Sequence, residues 1–97
     1  MRANRSPVRI AFSVHEAIER AVYAIRTQDM DEMVEGLRVA VELYEQHPSH
    51  VHEPLSLLRD LLVCIRAGRC LCATVGRPDG DLADLEYRAE ALRRPLH

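Results

Sequence analysis

Between residues 13 and 94 apolar side chains recur every three or four positions in almost every stretch, and each stretch follows its own helix start signal. That spacing gathers apolar groups on one side of a 3.6-residue turn, whereas a half-buried strand needs strict alternation. The expected fold is therefore all-α, a small bundle of four main helices with a short extended N-terminal segment. With one Phe, three Tyr and no Trp, the core must be Leu, Val, Ile, Met and Ala, the usual filling between packed helices rather than sheets. Ninety-seven residues hold one core, small enough that docking a second copy would add usefully to stability.

Helix 1 is expected from Ser13, where Ser13 and Glu16 have capping-box spacing, and its stripe is Val14, Ala17, Ile18, Ala21, Val22 and Ile25. Asp29 caps helix 2, which runs to Gln46 with Met30, Met33, Val34, Leu37, Ala40, Val41 and Tyr44 on one side. The short break between these helices implies an antiparallel hairpin. Helix 3 starts near Pro54 and is apolar around most of its circumference, so it should be buried on several sides; Gly68 is a point where it could end or kink. After the turn at residues 76–80, Asp81 is expected to cap helix 4, whose Leu82, Leu85, Ala89 and Leu92 form a narrow seam. No internal sequence repeat is apparent.

The remaining N-terminal sequence divides into a flexible basic arm at residues 1–7, ahead of a single helical domain at 8–97. Within that domain Val8, Arg9, Ile10, Ala11 and Phe12 alternate as an extended segment would. Such a segment either straps the bundle or pairs with a second copy.

Composition narrows function mainly by exclusion. All thirteen basic residues are Arg, scattered rather than clustered as a nucleic-acid footprint requires, and the net charge is −2. The apolar run at residues 61–65 is far shorter than the ~20 residues of a membrane span, and no apolar core of a signal peptide is present in the N-terminal sequence. Cys64, Cys70 and Cys72 are an odd number on three sides of one helix, which suits a reducing compartment and places the chain in the cytoplasm.

Candidate chemistry is sparse. His47, His50 and His52 form a cluster that could in principle bind a transition metal, but without companion Cys or carboxylate ligands at familiar spacing; no metal is assigned to them. His15, Glu16 and Glu19 read as a solvated face. No phosphate loop or nucleophile with a base is found, and the expectation is no catalysis and no cofactor. More informative are apolar residues off the main stripes: Gly36, Val39 and Leu43 on helix 2, and Ala83, Tyr87 and Ala91 on helix 4. These faces either meet within the monomer or form an interface.

Residues 8–45, with the alternating segment, the helix from Ser13 and the helix from Met30, resemble a ribbon-helix-helix DNA-binding domain. That resemblance implies a dimer whose paired strands present Arg9, Ala11 and Ser13 to the major groove. Asp29, Asp31 and Glu32 would then stand near phosphates and repel them. Residues 17–48, through Tyr23, Asp29-Met30-Asp31-Glu32, Ala40 and Pro48, resemble one tetratricopeptide-type hairpin, which implies peptide binding or a chaperone-like adaptor. The expected function is a cytoplasmic protein–protein interaction module, an adaptor, regulator or chaperone-like subunit. Its partners would be itself, as a homodimer, and another protein; its mechanism would be burial of apolar helix surface centred on Val39, Leu43 and Tyr87. A DNA-binding regulator using residues 8–45 is the alternative, and a metal-responsive regulator using the 47–52 histidine loop a further one.

Overall fold

The computed structural model describes the backbone of residues 7–46 and 54–93, and side chains over 14–46 and 56–93. Four helices pack together: α1 (Pro7–Thr27), α2 (Met30–Gln46), α3 (Pro54–Val75) and α4 (Gly80–Arg93). No strand occurs among the described residues. Of the arm expected at residues 1–7, Pro7 begins α1 and the rest lies outside the described residues, as does the histidine cluster at 47–52.

The N-terminal expectation is corrected. Residues 8–12 belong to α1, and Ser13 lies well inside the helix instead of capping it. Pro7 is suited to the first helical position because its missing N–H would be unpaired there anyway. From Ile10 the sequence steps through Val14, Ala17 and Ala21 at helical spacing, so a five-residue alternation yields to a 3.6-residue period sustained over the whole helix. The ribbon-helix-helix resemblance thereby loses the strand that would read DNA.

α1 with α2, and α3 with α4, form two antiparallel hairpins. In the first, Gly36 of α2 lies against the backbone of Ala17 and Ala21, while Arg20 pairs with Glu32. In the second, Arg69 reaches Asp79 and Glu86, and Arg66 reaches Glu86 and Glu90. The two turns share one construction. At the end of α1, Asp29 N–H donates to Ala24 O at 2.9 Å and Gln28 N–H to Ile25 O at 3.2 Å, with Gln28 at φ +57°. At the end of α3, Arg77 N–H donates to Cys72 O at 2.9 Å and Gly76 N–H to Ala73 O at 3.4 Å, with Gly76 at φ +76°. Both are Schellman motifs, which satisfy the last orphan carbonyls of a helix through one left-handed residue. An aspartate then starts the next helix in each case. Asp29 accepts from the Glu32 N–H on Oδ1 at 3.2 Å and from the Met33 N–H on its carbonyl at 3.0 Å. The second cap is Asp79, whose carbonyl accepts from the Ala83 N–H at 2.8 Å; Asp81, expected there, sits in the first turn.

The hairpins stack side by side. α3 touches both α1 and α2, and α4 touches α2, whereas α1 and α4 scarcely meet. Met33, Leu37, Leu58, Leu61, Ile65 and Leu82 fill the space between hairpins and are almost wholly excluded from solvent. At roughly 25 cal/mol per Å² of apolar surface removed from water, each contributes about 1.5–3 kcal/mol against the entropy of ordering the chain. Gly68 neither ends nor kinks α3. A Cβ there would lie 2.9 Å from Met33 Sδ and 3.1 Å from Leu82 Cδ1, so its glycine admits α2 and α4 side chains to the centre of the stack. Outside the core, Arg88 of α4 binds Glu45 of α2 through two hydrogen bonds of 3.1 and 2.7 Å. The result is a slab of 42 × 37 × 18 Å, with α1 along one end of the stack and α4 along the other.

Candidate interaction surface

The off-stripe residues divide between inside and outside. Gly36 is buried under α1, where a Cβ would stand 3.3 Å from Ala17 O and Ala21 N; its small size serves the first hairpin. Val39 and Leu43 are half-buried and pack against the core. On α4, Ala83 is half-buried, while Tyr87 and Ala91 are exposed. The six residues therefore do not form one surface.

Tyr87 is 75% exposed, for a reason visible in the helix period. At about 100° per residue, it points away from the buried stripe of Leu82, Leu85 and Ala89. The flanks of α4 are occupied, Glu86 and Glu90 by Arg66 of α3 and Arg88 by Glu45 of α2. A mirror situation holds on α1. Tyr23 is 69% exposed, off the buried stripe of Val14, Ala17, Ile18, Ala21 and Ala24. Val63 of α3 is also exposed, at 57%. Sequence reasoning missed Tyr23 and Val63 as surface features. Tyr23 could have been found as the one large aromatic lying off helix 1's stripe; Val63 had no such signal in a helix apolar nearly all round.

Besides a hollow of about 340 Å³ lined by Glu19, Val22, Tyr23 and Arg26, two depressions adjoin Tyr23 and Val63. One, of about 640 Å³, lies between α1 and α2 and is lined by Glu16, Glu19, Arg20, Tyr23, Ala24, Thr27, Asp29 and Glu32. Four carboxylates there face a single guanidinium, and Arg20 is already engaged by Glu32. The other, of about 300 Å³, is lined by Arg59, Leu62, Val63, Arg66 and Arg93. Its lining carries three guanidiniums and no carboxylate. Glu86 and Glu90 hold Arg66 from the rim and Glu90 also meets Arg93, whereas Arg59 is exposed and joins none of the ion pairs among the described residues.

Electrostatics elsewhere is structural. Hydrogen bonds from Arg66 and Arg69 hold the Glu86 carboxyl below its usual range, and Arg69 does the same to Asp79. Exposed pairs of this kind are screened by solvent and add little net stability, so they orient α4 on α3 more than they stabilise it. The cysteines fall on three sides as expected, Cys64 and Cys72 buried and Cys70 exposed, all as free thiols. Burial, helped by Asp60, pushes the Cys64 thiol up, which disfavours its reactive thiolate. No group of three or more His, Cys, Asp or Glu able to hold a metal occurs among the described residues. Among those residues no helix is long and apolar enough to cross a membrane. The chain matches no known family model, and no curated protein or solved structure is similar to it.

Proposed function

We propose that this protein is a cytoplasmic protein–protein interaction module, acting as an adaptor, regulator or chaperone-like subunit that self-associates and carries out no catalysis. The observation that carries the reading is Tyr87, an aromatic ring pointing into solvent between Ala83 and Ala91. An exposed tyrosine adds nothing to the core, yet tyrosine is among the residues that contribute most when buried at an interface. The free thiols fit a reducing compartment. Val39 and Leu43 support the reading less, since they pack against the core.

Sedimentation velocity over a range of concentrations tests it. The untagged protein is expected to self-associate, and Tyr87→Asp to weaken association about thirtyfold or more, the equivalent of ~2 kcal/mol for an interface anchor. Helicity by circular dichroism should be unchanged. A wild-type protein that stays monomeric at every concentration would overturn the proposal.

A further inference from the structure

No further inference is drawn: the strongest candidate, the depression beside Tyr23 between α1 and α2, is a group of four carboxylates around one arginine already held by Glu32, and nothing in the structure shows what covers it.

Discussion

Gln28 occupies a place that glycine fills more cheaply, and replacing it is expected to stabilise the protein. The residue closes the Schellman motif after α1 at φ +57°, where a Cβ crowds the following carbonyl at a cost of about 1–2 kcal/mol. Glycine removes that cost but returns about 0.4–1 kcal/mol of unfolded-state entropy. The difference leaves Gln28→Gly more stable by about 0.5–1 kcal/mol. The equivalent position after α3 provides the reverse experiment. Gly76 holds φ +76° with nothing within 4 Å of an added Cβ, so Gly76→Ala isolates backbone strain from steric contact and should cost about 1 kcal/mol. Both are read from urea denaturation as shifts of midpoint at constant m. For a domain of this size, 1 kcal/mol also moves the melting temperature by roughly 4–8 °C. A stabilising Gly76→Ala together with a destabilising Gln28→Gly would refute the assignment of these turns.

Gly36→Ala should destabilise by up to about 2 kcal/mol, the overpacking cost of about 1–3 kcal/mol less the ~1 kcal/mol of helix propensity gained; the atoms met are the backbone of Ala17 and Ala21, which cannot turn aside. A raised melting temperature in that variant would show that the first hairpin has slack. Glu86 is held below its usual range by Arg66 and Arg69 when folded, so its stabilising effect is full above the ordinary carboxylate value and is lost as pH falls through the folded one. Glu86→Gln should therefore lose less stability than wild type between about pH 5 and pH 3. Equal acid sensitivity of the two proteins would count against this ion-pair cluster.

Where the sequence carried a period long enough to outweigh local alternatives, it was legible. The stripes of α2 and α4 match their buried residues except that Val34 and Leu92 are only half-buried and Gly36 is buried as well, and Asp29 caps as its position implied. What was not legible depended on neighbours. The alternation at residues 8–12 is ambiguous within a five-residue window and is settled by the helix it joins. Gly68 has the same local signature as a helix breaker, and only the approach of Met33 and Leu82 explains it. Likewise, the off-stripe set on α2 could not be separated into Gly36, buried by α1, and Val39 and Leu43, half-buried beside it, without knowing how closely the helices approach. Tyr87 was identified correctly as off its stripe; its exposure needed the packing of α4. The cluster of arginines is only partly visible to a linear reading, because Arg59 and Arg66 lie two turns apart on α3 but Arg93 joins them only when α4 folds back on α3.

The contact between Gly68 and Met33 has a consequence for how this protein can change. Position 68 has given up its side chain to a sulfur from another hairpin, so packing constrains the volumes at 33 and 68 as a sum and not individually. A lineage that enlarged position 68 first would pass through a strained protein, and one that shortened Met33 first would pass through a cavity. The two sites, 35 positions apart in sequence, are expected to drift only as a pair, with Leu82 as the third member that limits how far either can go.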